Sequence, residues 1–218
     1  MKKAHVHALW IYGVIVGLAI RESLAQTLAH MFPQNHPAQP PHVGDQQLIL
    51  ESLRVVTFLI TVIRFYFGAA LYFDEMYGDD AGNGHRSFGF DFLTGMAHFL
   101  VFFAWSYSIT FHTRFSHGLS GFLTLLFVVL LYDVFWYLAS LRYDTAQFIG
   151  LWTLLNLLTF LISFSLFIVA TWFTSQEIAE SICLIPVILV AIVDLGDMAS
   201  GKNLVIEWLG ALIKRRQL

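Results

Sequence analysis

An all-α fold of about six membrane-spanning helices is predicted by three features of the sequence. Of its 218 residues, 57% are hydrophobic and only 12% charged, where a soluble domain carries about 25% charged residues. Mean hydropathy is +0.68. Uncharged stretches such as residues 145–176 exceed the roughly 20 residues that a helix needs to cross the hydrocarbon core. A soluble chain of this length would bury only about 70% of the surface exposed on unfolding, too little to hide such a composition from water.

Six apolar segments fall near residues 7–29, 48–73, 90–111, 118–139, 147–173 and 178–198. The first follows Met1-Lys2-Lys3, the charge order of a signal peptide. Its apolar run continues through Ile20 without a small-x-small cleavage site, so it reads as a retained span. The second carries Arg54 near one end, within snorkelling reach of the outer headgroups. It also carries Arg64, flanked by the uncharged residues 55–63 and 65–73, which has to face the bundle interior.

The third segment holds His98, with Asp91 two helical turns before it and Ser106 and Ser108 toward its far end, in a helix-packing role. The fourth holds Asp133 and the fifth Asn156. The sixth is the least regular, because only residues 181–193 separate Glu180 from Asp194 and Pro186 interrupts them. A kinked span and a re-entrant element both satisfy that pattern. The expected bundle covers residues 1–201. In residues 202–218, Leu204, Val205, Trp208, Leu209, Leu212 and Ile213 share one face of an amphipathic helix that ends in Lys214, Arg215 and Arg216. That helix is expected at the inner headgroup layer or against cytoplasmic loops.

Two connections stand out. Residues 30–46 are rich in proline (Pro33, Pro37, Pro40, Pro41), and residues 78–89 gather Gly78, Gly82, Gly84 and Gly89 around Asp79 and Asp80. The other connections are short, which predicts that successive helices pack as antiparallel neighbours. With the N-terminus inside, the inner regions hold Lys2, Lys3, Arg86, Arg142, Lys202, Lys214, Arg215 and Arg216 while the outer loops hold Arg114 alone. Six spans then place both termini in the cytoplasm, with the protein in an inner or plasma membrane.

Intramembrane ionisable groups need partners or a water-filled cavity. At 1.5 Å per residue, the inner ends of five segments place Arg64 about 14 Å deep, His98 about 12 Å, Asp133 about 9 Å, Asn156 about 13 Å and Asp194 about 6 Å. These form one expected polar layer, in which charge balance pairs Arg64 with Asp133 or Asp194. The layer suits either the pathway of a small channel or transporter subunit, or a network that fixes helix packing. A second set at the inner surface, Asp74, Glu75, Asp79, Asp80 and Asp91, would suit a lipid-modifying enzyme acting at the inner leaflet. A structural or signalling module is the third class.

Several functions are excluded or disfavoured. The single cysteine, Cys183, rules out an intrachain disulfide or a cysteine-rich metal site. A net charge of −3 without a basic face gives no footprint for nucleic acid. His112 and His117 are five apart, which is not a helical ligand spacing, and the run from Asp79 to Gly84 lacks the oxygen ligands of a calcium loop. No metal or other cofactor is expected. The abundant aromatic residues read as lipid contact and interfacial belts, with Trp10, Trp105, Trp136, Trp152 and Trp172 toward segment ends. The expected partners are the lipid bilayer, a small ion or lipid, and sister copies in a homo-oligomer.

Overall fold

Hydrocarbon offers no hydrogen bonds to an open backbone, so an apolar segment in a bilayer satisfies its peptide groups within its own helix. The computed structural model describes residues 4–31, 45–77, 88–110, 119–141 and 146–200. They form α1 (Ala4–Met31), α2 (Asp45–Tyr77), α3 (Phe88–Ser106), α4 (Gly121–Ser140), α5 (Ala146–Thr171) and α6 (Gln176–Ser200). All six are long and apolar enough to cross a membrane, and the chain is an integral membrane protein. Asp79 and Asp80, the outer histidines at 112 and 117, and the tail expected over 202–218 lie outside the described residues.

The helices overrun the apolar segments, because helical hydrogen bonding does not stop at the hydrocarbon edge. α2 has 33 residues, about 50 Å of helix, and projects well past a hydrocarbon core of about 30 Å. α6 runs without interruption through Pro186, so the sixth segment is a full-length helix and not a re-entrant element. α4 is capped by Ser120, whose hydroxyl accepts from the Leu123 amide at 3.1 Å. Hydroxyls inside the bundle return to their own helix: Thr57 donates to the Leu53 carbonyl, Thr27 to Ser23 and Thr159 to Leu155.

Chain direction alternates from helix to helix. Tyr12 near the start of α1 stacks on Phe92 near the start of α3, touches Phe99 in the middle of that helix, and meets Phe73 near the end of α2. At the opposite end, Gln26 of α1 and Thr110 beyond α3 are hydrogen-bonded, and Arg54 and Glu180 join the starts of α2 and α6. The beginning of α1 and the end of α6 therefore share one face of the bundle, called inner below.

In cross-section the helices form a ring in the order α1, α2, α6, α5, α4, α3. Short connections predict successive neighbours, and α3, α4, α5 and α6 follow one another round the ring. α2 and α3, joined by the longer connection over 78–89, are not ring neighbours but meet across the interior, as Phe58 meets Trp105. Small residues set that arrangement: a side chain at Gly95 of α3 would collide with the Tyr12 hydroxyl of α1. The interior is aromatic through its middle, with Phe58, Phe102, Trp105 and Phe122 wholly buried and Trp105 5.1 Å from Phe58 and 5.0 Å from Phe122. Trp10, Trp172 and Phe173 are 70%, 80% and 81% exposed at the bundle ends, the position of interfacial anchors. Trp105 and Trp136 are buried instead, so the reading of all these tryptophans as an interfacial belt is corrected.

Candidate functional site

The inner half of the ring holds a polar layer built from five helices. Arg64 of α2 donates from Nε to Asp194 Oδ2 of α6 at 2.5 Å and from Nη1 to Asn156 Oδ1 of α5 at 2.7 Å. Asn156 Nδ2 donates in turn to Asp133 Oδ2 of α4. Asp133 Oδ2 also accepts from Trp152 Nε1 at 2.7 Å, and the Asp133 carbonyl from the Thr153 hydroxyl at 3.2 Å. His98 of α3 presents Nδ1 to Asp133 Oδ1 at 3.7 Å. Arg64, His98, Asp133, Asn156 and Asp194 are all buried. Of the two partners that charge balance offers Arg64, the structure gives it Asp194 directly and reaches Asp133 through Asn156.

The layer is rigidly framed. The Arg64 guanidinium lies 4.3 Å from the Trp152 ring centroid and 5.3 Å from that of Phe65, a face-on arrangement that suits a planar cation. The His98 ring stacks between Tyr132, at 4.5 Å, and Phe102, at 5.0 Å. Two polar atoms in this frame have no hydrogen-bond partner among the described residues, Arg64 Nη2 and His98 Nε2. Native interiors satisfy nearly all such groups.

Against the layer, on its inner side, lies a cavity of about 50 Å³. Its walls are the rings of Phe65, Tyr72, Phe99, Trp136 and Trp152, with Gly68 and Ala69 on α2 and the polar edges of His98 and Asp133. Gly68 has to lack a side chain, because a Cβ there would fall 2.7 Å from the Trp152 ring. Beyond the cavity, Asp91 Oδ2 accepts from the hydroxyls of Tyr72 at 2.7 Å and Tyr77 at 2.6 Å, and Oδ1 from Trp136 Nε1 at 3.2 Å. Asp91 is thus buried among neutral donors and does not stand open at the inner surface.

The other inner-surface candidates are not gathered with it in the described structure. Asp74 is exposed on the last turns of α2, Glu75 is the next residue of that helix, and Asp79 and Asp80 lie outside the described residues. No group of three or more metal-ligating side chains occurs among the described residues.

Arg54 does not snorkel. It is 2% exposed and grips Glu180 of α6 with two bonds, Nε to Oε1 at 2.7 Å and Nη2 to Oε2 at 2.9 Å. Its Nη1 donates to the Ile109 carbonyl just beyond α3 at 3.0 Å. A doubly hydrogen-bonded carboxylate satisfies a buried guanidinium better than a headgroup reached by stretching. Glu180, which counts little in the topology rule, is the signal that would have revealed this pair, at the matching depth of another helix. The aromatic donors Tyr72, Tyr77, Trp136 and Trp152 were equally invisible as site residues, because their apolar rings mask their polar ends. No protein-family model, curated protein or solved structure matches this chain.

Proposed function

We propose that the protein is a small channel or transporter subunit that passes a small ion through the inner polar layer. The observation that carries this reading is the cavity set against the layer, with His98 and Asp133 on its wall. A network that only fastens helices is best packed solid, whereas a pathway needs space beside its polar groups. The unpartnered Arg64 Nη2 and His98 Nε2 supply further hydrogen-bonding capacity at the same level. The Arg64–Asp194 pair then serves as the barrier between this cavity and the outer half of the bundle.

Cytoplasmic placement of both termini belongs to the reading and is supported by the Lys and Arg distribution. Assembly as a homo-oligomer belongs to it as well, since a six-helix bundle gains from sister contacts. A lipid-modifying active site at the inner surface is less well supported, because the carboxylate of Asp91 is engaged by Tyr72, Tyr77 and Trp136.

The test uses Ala69→Cys in a Cys183→Ser background, with Phe127→Cys as an apolar-span control. A pathway predicts faster labelling of position 69 than of position 127 by a small hydrophilic thiol reagent in intact membranes, and altered ion flux in liposomes after modification. Labelling at 69 no faster than at 127, in protein shown to be folded, removes the transport reading.

A further inference from the structure

We infer that the inner cavity is a binding site for a small ammonium-type cation, ammonium or a monoalkylammonium ion, held between Asp133 and His98 and walled by aromatic rings. The assignment deepens the transport reading and rests on it for the movement of the ion, though not for its binding.

Among the described residues, the buried ionisable groups of the inner half are, besides His98, the guanidinium of Arg64 and the carboxyl groups of Asp91, Asp133 and Asp194. Asp194 bonds Arg64 directly. Among the described residues, Asp91 and Asp133 meet neutral donors at hydrogen-bond distance, namely Tyr72, Tyr77 and Trp136 for one and Trp152 and Asn156 for the other. A surplus of negative charge in a bilayer interior is costly unless a cation or a proton offsets it. The cavity adjoins both, since Asp133 lines it together with Tyr72 and Trp136, which bond Asp91.

The hydrogen-bonding pattern then selects the kind of cation. Asp133 Oδ2 is occupied by Trp152 and Asn156, while Oδ1 has His98 Nδ1 at 3.7 Å, beyond hydrogen-bond distance. With its proton on Nδ1, the nitrogen turned toward the carboxylate, the ring keeps a lone pair on the other nitrogen. His98 Nε2 is that nitrogen, in a side chain 3% exposed, and it has no partner among the described residues. A carboxylate oxygen and an imidazole lone pair are two acceptors, and together they call for a ligand that is both cationic and a multiple N–H donor. Potassium has the charge but no N–H to give.

The walls agree with this choice. Aromatic faces attract a desolvated cation through their quadrupoles, tryptophan most strongly, and the cavity has both Trp136 and Trp152. A volume of about 50 Å³ admits a few water-sized groups. It therefore suits an ion of one or two heavy atoms and excludes a tetraalkylammonium.

The experiment measures binding of radiolabelled methylammonium to the purified protein in lipid nanodiscs, beside its uptake and proton flux in proteoliposomes. Saturable binding is expected, competed by ammonium and not by equal concentrations of potassium or tetraethylammonium. Asp133→Asn should weaken binding by about tenfold or more, the scale of one lost charge-assisted hydrogen bond. Ala69→Val, which removes no polar group and fills part of the cavity, should weaken it comparably in protein with wild-type thermal stability. Absence of saturable binding to folded wild-type protein overturns the assignment, as does binding that both variants leave unchanged. Ion flux that persists in protein binding no methylammonium overturns the cation site and leaves transport standing. Specific binding without flux of any ion supports the site and removes transport.

Discussion

Arg64 bonds Asp194 across a sequence separation of 130, whereas Arg54 bonds Glu180 across 126, so the two ion pairs between the parallel helices α2 and α6 differ in register by four residues. Four residues are about 6 Å of helix. Helix inclination and the reach of the arginine side chains absorb that difference. The outcome is a seam clamped at two depths, with Leu184, Val187 and Ala191 of α6 buried along it.

Breaking the inner clamp should be costly. Arg64→Leu leaves Asp194 buried without its counter-charge and Asn156 without a donor, and removing one partner of a buried pair typically costs about 3–5 kcal/mol. Arg64→Leu combined with Asp194→Leu should recover part of the loss. Thermal unfolding in a mild detergent checks this, and equal stability of the single variant and wild type would contradict the pairing.

The two clamps should act independently. Arg54 and Arg64 are ten residues apart on one helix, about 15 Å, which exceeds the distance at which mutational effects usually couple. The destabilisation of Glu180→Gln and that of Asp194→Asn are therefore expected to add to within about 0.5 kcal/mol in the double variant. A larger deviation would mean that α2 and α6 move as one switch.

Glycine replacements should divide by position. Gly68→Ala drives a methyl group into Trp152, and Gly95→Ala into the Tyr12 hydroxyl that bonds the Phe92 carbonyl at 2.8 Å. Overpacking of this kind costs about 1–3 kcal/mol. Gly17 and Gly196 have nothing within 4 Å of an added Cβ, and alanine there should leave melting behaviour unchanged. Equal tolerance at all four sites would refute the packing of α1 on α3 and of α2 on Trp152.

Sidedness is testable with reporters. The beginning of α1 and the end of α6 share one face, so reporters fused at the N-terminus and after residue 218 should lie on one side of the membrane. A reporter within residues 36–44 should lie on the other, and the positive-inside bias assigns the termini to the cytoplasm. Opposite sidedness of the two ends would exclude six spans.

Cys183 offers a probe of folding. It is wholly buried beside Glu180 in the α2–α6 seam, so a hydrophilic maleimide should label it only after denaturation. Rapid labelling of the native protein would show that this seam opens.

The helices were legible because a bilayer imposes one length and one hydrogen-bonding solution on every span. Arg64 was legible as interior because uncharged residues extend too far on both sides of it for snorkelling. Its neighbours at similar depth were legible by the same counting. Arg54 was not, since a guanidinium near the end of a span can reach headgroups or a carboxylate, and its partner lies on the last helix. Ring order was hidden because hydropathy reports burial from water and says nothing of which helices touch. The cavity was hidden for a related reason: its walls are aromatic side chains whose tally in the sequence is already explained by lipid and interface. The packing of α1 on α3 uses the approach of Tyr12 to Gly95, which no local pattern announces.

Synthesis order gives the α2–α6 seam a temporal meaning. Chains emerge N-terminus first, so α2 enters the bilayer early, while Glu180 and Asp194 arrive with the last of the described helices. Until then the nascent bundle carries two guanidiniums in the membrane without their acidic partners, each a burden of about 2.5–3.5 kcal/mol. A ribosome product that stops short of α6 keeps that burden permanently. Arrival of α6 is thereby registered chemically, by two carboxylates closing the ring.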